Sequence, residues 1–263
     1  MQHNILVYKN ENEQARALAT LILGQIKYAA KENRAFLLGC PGGRSPLETY
    51  KQLALMIGQE QIDISHLVVV MMDDYVIKKN GQFIHCDEHA HYSCRRFANE
   101  DIKNRLNANI PQDKHVTQIW FPPINNPEDY DKRLMQAGGI DHFILASGTT
   151  DGHVAFNPPY TSKEQRSYIA TLSLETRTDN LGTFPDYKNI DEVPLYGLTV
   201  GLKTISEQSK QVSLIINGKH KKPAARRVLS AEKFDETWPV SIIYECKNVS
   251  IYLEKSCNPL EIV

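Results

Sequence analysis

Two rhythms alternate along the chain: apolar residues every three to four positions, and short unbroken apolar runs. Ile5 to Tyr8 reads as a short strand, and Glu11 to Ala30 as a helix in which Ala15, Leu18, Ala19, Leu21, Ile22, Ile26 and Ala29 recur at helical spacing. Ala35 to Leu38 is a continuous apolar strand closed by Gly39-Cys40-Pro41-Gly42-Gly43-Arg44-Ser45-Pro46, after which Leu47 to Ile57 returns to helical spacing. Leu67 to Met72, nearly all apolar and rich in valine, has the composition of a parallel strand covered on both faces. It stops at Asp73-Asp74-Tyr75, and a polar stretch from Lys78 to Ala90 leads to a helix predicted over Tyr92 to Leu106. A strand near Thr117 to Phe121, a helix from Glu128 to Gln136 and a strand from Ile140 to Ala146 follow. Further strands are predicted at Tyr168 to Leu172, Tyr196 to Val200, Val212 to Ile216, Ser241 to Tyr244 and Val249 to Leu253, with a helix over Lys221 to Leu229. Thr176 to Val193, polar and carrying glycine and proline, is expected to be a long loop or lid. The alternation predicts an α/β fold, a doubly wound, mainly parallel sheet with helices on both faces in the Rossmann-like manner. In such a sheet ligands bind beyond the carboxyl ends of the strands. No repeat or linker divides the chain, so residues 1–263 are expected to form one domain.

Charge narrows the partners. Thirty Lys and Arg stand against 31 Asp and Glu, a formal net charge of -1, so no overall basic field recruits nucleic acid or an anionic membrane. An anionic ligand has to be held by a local site. No apolar run approaches the roughly 18 residues of a spanning helix, and Met1-Gln2-His3-Asn4 lacks the charged and apolar regions of a signal peptide, so a cytoplasmic location is expected. Five scattered cysteines, Cys40, Cys86, Cys94, Cys246 and Cys257, read as reduced thiols. His85, Cys86, His89 and His91 are dense, but the segment matches no usual zinc pattern and reads as a solvated loop; no metal and no cofactor are expected. Lys219, His220, Lys221, Lys222, Arg226 and Arg227 read as a basic helix face.

Three loops at strand ends carry chemistry. Pro41-Gly42-Gly43-Arg44-Ser45-Pro46 exposes backbone N–H groups ahead of a helix N-terminus, where an anion such as phosphate is favoured. Ser45 there can cap the helix and Arg44 can add charge; the alternative is an ordinary strand-to-helix turn. Asp73 and Asp74 end a buried strand, where a carboxylate is costly unless paired. One with a raised pKa can move a proton on a substrate carbon, or either can be a solvated loop acid. In Asp151-Gly152-His153, the carboxylate can hold the imidazole in one tautomer for general acid/base work; the alternative is an Asp-Gly turn beside a solvated histidine.

Taken in order, GGRSPLETY (42–50), MDDYV (72–76), DGHVAFN (151–157), VPLYGLTVGL (193–202) and INGKHKKPAARRVL (216–229) resemble the glucosamine 6-phosphate deaminase (isomerase) family, which shares its fold with the 6-phosphogluconolactonases. The resemblance covers nearly the whole chain. It implies an aldose–ketose isomerase and deaminase acting on an amino-hexose 6-phosphate, with Asp73 moving a proton between C1 and C2. It also implies that His153, positioned by Asp151, assists ring opening, and that the phosphate lies against Gly42, Gly43, Arg44, Ser45 and Lys221. A small-molecule sugar phosphate is the expected partner, and a homo-oligomer is compatible with the resemblance although no apolar seam announces an interface.

The pattern departs from the family at identifiable positions. The family's catalytic Glu falls on Pro158, which supplies neither charge nor a donor. Glycines that usually precede the triplet are Ser147 and Thr149, and an Arg used on the phosphate falls near Gly182 or Thr183, leaving Arg44 or Arg177 as substitutes. Two other readings remain. One is a lactone hydrolase in which His153 activates water and Asp73 is structural; the other is a non-catalytic sugar-phosphate sensor.

Overall fold

The computed structural model describes residues 4–259. Its first strand, β1 (Asn4–Tyr8), runs into α1 (Glu11–Lys31), where the Asn10 side chain accepts from the Glu13 N–H at 2.9 Å as an N-cap. The apolar face of α1, with Leu18, Ile22 and Ile26 fully buried, packs onto the sheet. Each such side chain contributes on the order of 1.5–3 kcal/mol of burial. Buried Gln14 on the same helix donates to the Ile216 and Tyr252 carbonyls, tying α1 to two strands of the sheet.

Seven strands form the main sheet in the order β1-β11-β10-β7-β2-β3-β6, every pair parallel. These are β2 (Phe36–Cys40), β3 (Leu67–Met71), β6 (Gln118–Trp120), β7 (His142–Ala146), β10 (Val212–Ile216) and β11 (Val249–Glu254) besides β1. Strands β2, β3 and β10 are buried along their whole length, as apolar runs covered on both faces must be. One apolar core includes α1, α2 (Leu47–Glu60) and a three-part helical segment: α3 (Cys94–Phe97), a wider π-helical stretch Ala98–Asn104, and α4 (Arg105–Asn107). The other includes α5 (Glu128–Gln136), α7 (Leu202–Gln208) and α8 (Lys222–Ser230). The doubly wound sheet with helices on both faces is therefore as the alternation of elements predicts. Among the described residues no helix is long and apolar enough to cross a membrane.

A second sheet of four strands, β5-β4-β9-β8, is antiparallel throughout and was not foreseen. Here Asp73–Lys79 is not a loop but strand β4, paired with β5 (Gln82–His85) through a turn in which Asn80 and Gly81 take φ of 52° and 82°. The Asn-Gly pair between Tyr75-Val76-Ile77 and Phe83-Ile84 is a strong hairpin signal that the polar character of Lys78 to Ala90 concealed. β9 (Tyr196–Thr199) pairs with both β4 and β8 (Tyr168–Thr171).

Three further expectations are corrected. Thr176 to Val193 is not an open loop: α6 (Leu174–Thr183) opens it, with the Ser173 hydroxyl accepting from the Thr176 N–H at 3.0 Å, and a 3-10 turn Ile190–Glu192 follows. Ser241 to Tyr244 is a 3-10 helix, Pro239–Glu245, because Pro239 at its start withholds the N–H a ladder needs. Helix α7 occupies a segment for which no helix was expected.

Candidate active site

Beyond the carboxyl ends of β2, β3, β7 and β10 lies a cleft of about 490 Å3, lined by all three chemistry-bearing loops, by α6 and by Lys221. The glycine loop enters from β2. Gly43 takes φ of 81°, a left-handed conformation that favours glycine, and Tyr50 Oη pins the loop by donating to the Pro41 carbonyl at 2.9 Å. Asn217, after β10, bridges the loop from the other side, donating to the Ser45 carbonyl (3.3 Å) and to Glu11 (3.2 Å). Gly42, Gly43, Arg44 and Ser45 all face the cleft just ahead of α2. Ser45 does not cap that helix: Pro46 is the boundary residue, no side chain bonds there, and the Leu47 N–H turns back to the Arg44 carbonyl at 3.2 Å. Arg44 lines the cleft, whereas Arg177 does not. The Arg177 guanidinium is spent on the carbonyls of Ile190 and Val193, at 2.5 Å and 3.1 Å, where it closes the segment after α6.

Lys221, in the turn before α8, is half-buried and donates from Nζ to the Ser147 carbonyl. Burial pulls its ammonium below the ordinary value, with the neighbouring charge of Asp179 opposing and that of Arg44 reinforcing the shift. Arg44 and Lys221 thus bring two cations to the end of the cleft where α2 begins.

Alternation along β4 separates the two adjacent carboxylates. Asp74 is fully buried away from the cleft and accepts from Arg95 Nε at 2.8 Å, with His85 Nδ1 at 3.1 Å. Asp73 lines the cleft, and its Oδ1 accepts from the Cys94 thiol at 3.6 Å. Burial pushes the Asp73 carboxyl up to about 7; the Cys94 contact and the charge of His153 oppose this, and the charge of Asp74 adds to it. Such a group is about half ionised at neutral pH, and its ionised form is basic enough to take a carbon-bound proton.

The third loop follows β7. Asp151 Oδ1 lies 2.7 Å from His153 Nδ1 and accepts the His153 backbone N–H at 3.1 Å, while Oδ2 accepts from the Ser173 and Thr176 hydroxyls at 2.9 and 3.0 Å. Burial drives the Asp151 carboxyl upward. The hydrogen bond and charge of His153, the backbone N–H and the Ser173 hydroxyl outweigh that and hold it well below the usual carboxylate range. With Nδ1 engaged by Asp151, the Nε2 edge of His153 is left for the cleft. Gly148 is required by close approach, since a Cβ there would sit 2.2 Å from His153 Nδ1 and 2.5 Å from Asp151 Oδ1. Ala155 holds φ at 50°, a strained conformation beside the dyad. Asn157 Nδ2 clamps the loop to the Val154 and Val200 carbonyls. Pro158 lies outside the cleft lining, its carbonyl taken by Thr161.

Sequence reasoning missed Ser173, Thr176 and Asp179: the last two lay in the segment expected to be a loop, and Ser173, just ahead of it, carried the N-cap signal of α6. Asp179 lines the cleft and its Oδ2 accepts the Thr149 N–H at 2.9 Å. Donor atoms of Asp151, His153 and Asp179 lie within 4.8 Å of one another, close enough to hold a metal ion. Asp151 is already occupied by four hydrogen bonds, which a cation would have to displace. The dense histidines of the sequence are dispersed instead: His85 faces Asp74, His89 is exposed beside Glu88, and His91 packs edge-on against Tyr187.

A parallel α/β sheet with an anion-ready glycine loop, a buried carboxylate and an Asp–His dyad at one strand edge defines a class that binds phosphorylated small molecules. The chain belongs to the glucosamine-6-phosphate isomerase/6-phosphogluconolactonase family, whose model matches residues 9–252. It is 32% identical over 232 residues to glucosamine-6-phosphate deaminase of Dictyostelium discoideum, covering 86% of this chain and 80% of that one. With the deaminase of Clostridium novyi it shares 30% identity over 253 residues, 95% and 97% of the two chains. The fold superposes on a monomeric glucosamine-6-phosphate deaminase with a TM-score of 0.78 at 25% identity, covering 98% of this chain and 100% of that one. The 6-phosphogluconolactonase of Leishmania guyanensis gives 0.68 at 16% identity over the full length of both, a likeness of fold alone.

Proposed function

We propose that this protein is an amino-hexose 6-phosphate deaminase and isomerase, converting glucosamine 6-phosphate or a close relative to the ketose 6-phosphate with release of ammonia. The observation that carries the reading is Asp73: a cleft-facing carboxyl pushed up to about 7 by burial, opposite the Asp151–His153 dyad. A lactonase needs a histidine to activate water but has no use for a second, carbon-directed base, whereas an aldose–ketose shift requires one. The deaminases at 30 to 32% identity support the same choice.

In this reading the phosphate sits at the start of α2, against the Gly42-Gly43 backbone, Ser45, Arg44 and Lys221, and the sugar extends toward β4 and β7. His153, oriented through Nδ1 by Asp151, gives its Nε2 proton to the ring oxygen. Asp73 then moves a proton from C2 to C1, which turns C2 into an imine, and water adds to that carbon as the amine leaves as ammonia, so the ketone oxygen comes from water. Ammonia release from a panel of hexosamine 6-phosphates, with lactone hydrolysis and neutral hexose 6-phosphates in parallel, tests the proposal. Deamination that Asp73→Asn abolishes upholds it. Lactone hydrolysis that survives Asp73→Asn and dies with His153→Ala replaces it with the lactonase reading.

A further inference from the structure

Opening a cyclic sugar moves two protons. The ring oxygen gains one as the C1–O5 bond breaks, and the C1 hydroxyl loses one as the carbonyl forms. On the reading just given, on which this inference rests, His153 serves the ring oxygen and Asp73 serves carbon, so the C1 hydroxyl needs a third group. Asp151 is unsuited: it lies behind His153, with four hydrogen bonds on its two oxygens. Pro158 lies outside the cleft and carries no side-chain acceptor. Glu11 lines the cleft at the glycine-loop side, where Asn217 holds it. Asp179 is differently set: half-buried, cleft-facing, carried on α6, and with a donor atom within 4.8 Å of those of both Asp151 and His153.

We propose that Asp179 is a further catalytic residue, the carboxylate that takes the C1 hydroxyl proton while His153 protonates the ring oxygen. The electron pair of the breaking C1–O5 bond goes to O5, which receives the His153 Nε2 proton. The C1–O1 bond becomes the carbonyl as the O1 proton passes to the Asp179 carboxylate. Return of that proton from Asp179 to His153 through one bridging water restores both groups for the next cycle, and the spacing within 4.8 Å suits such a bridge. The Thr149 N–H at 2.9 Å fixes one oxygen of Asp179 and leaves the other to accept. Because Asp179 rides on α6, whose N-cap Ser173 also donates to Asp151, one helix terminus sets both halves of the acid–base pair.

The test compares wild type, Asp179→Asn, Asp179→Glu and Asp73→Asn in two reactions. One is steady-state deamination of the cyclic hexosamine 6-phosphate. The other is solvent deuterium uptake at C1 of the ketose 6-phosphate product, whose open keto form is supplied by solution equilibrium and so bypasses enzymatic ring opening. Asp179→Asn is expected to lower kcat for deamination by about 10^2 to 10^3, the usual span of general acid/base catalysis, with little change in KM and with deuterium uptake retained. Asp179→Glu should restore part of the loss, and Asp73→Asn should lose both reactions. Equal loss of both reactions in Asp179→Asn, a change in KM alone, or unaltered turnover would overturn the role of Asp179 while leaving the deaminase reading intact. Absence of wild-type deamination, or its survival in Asp73→Asn, would overturn the deaminase reading and this inference with it.

Discussion

Asp73 should cost the protein stability, and the cost has a sign that depends on pH. Its carboxyl is raised from 3.8 to about 7, so between these values the folded protein keeps a proton that the unfolded chain has released. The free energy of unfolding therefore falls as pH rises through that window, and the penalty is fully expressed above about pH 7. At 1.36 kcal/mol per decade the gap corresponds to a ceiling of about 4 kcal/mol. One side of Asp73 faces an open cleft and the Cys94 thiol bonds more weakly to a neutral amide oxygen than to a carboxylate, so about 2 kcal/mol is the expected net gain for Asp73→Asn at pH 8. For a chain of this size that raises Tm by about 5 °C, and at pH 4.5 only about a quarter of it should remain. Thermal unfolding of wild type and variant at the two pH values measures this directly. A variant that is destabilised, or stabilised equally at both pH values, would refute the burial argument and with it the physical basis for Asp73 as a base.

Two further outcomes follow from the same geometry. The limb of kcat/KM on the acid side should fall below about pH 7, because only ionised Asp73 accepts the C2 proton; a profile flat down to pH 5 would contradict this. Gly148→Ala should lower kcat by about 10^2 or more while the far-ultraviolet circular dichroism stays native, since its Cβ would displace His153 Nδ1 and Asp151 Oδ1; activity within threefold of wild type would show that the dyad tolerates displacement.

Much of the fold was legible because its strands are short apolar runs between amphipathic helices. Val212–Ile216 was read to the residue, and α1, α2 and α8 to within a turn. What escaped shows where local pattern carries less information. Strands β4 and β5 belong to a small antiparallel sheet whose outer half is polar, so Asp73–Lys79 looked like a loop although Asn80-Gly81 marked the hairpin. Helix α6 has only Thr176 buried, too little for an apolar stripe, and its start was encoded in the cap at Ser173. Site residues show the same division. Gly43, Asp73, Asp151, His153 and Lys221 stand at strand ends or in the turn before a helix, where a change from apolar to small or charged residues is visible. Asp179 became a candidate only when α6 folded its carboxylate over the cleft, and no spacing in the sequence links residue 179 to residue 153. Arg177 illustrates the converse: its charge suggested a phosphate ligand, but two carbonyls in its own segment claim it.

The account turns on Asp73 as the base that moves hydrogen between adjacent carbons while an amine departs. Incubating the wild-type protein with a hexosamine 6-phosphate in D2O, and following the reaction by proton NMR with ammonia assayed in parallel, tests that most directly. The expected result is a ketose 6-phosphate carrying solvent deuterium at C1, formed mole for mole with ammonia, and neither product with Asp73→Asn. Ammonia and ketose formed at an undiminished rate by Asp73→Asn would contradict it.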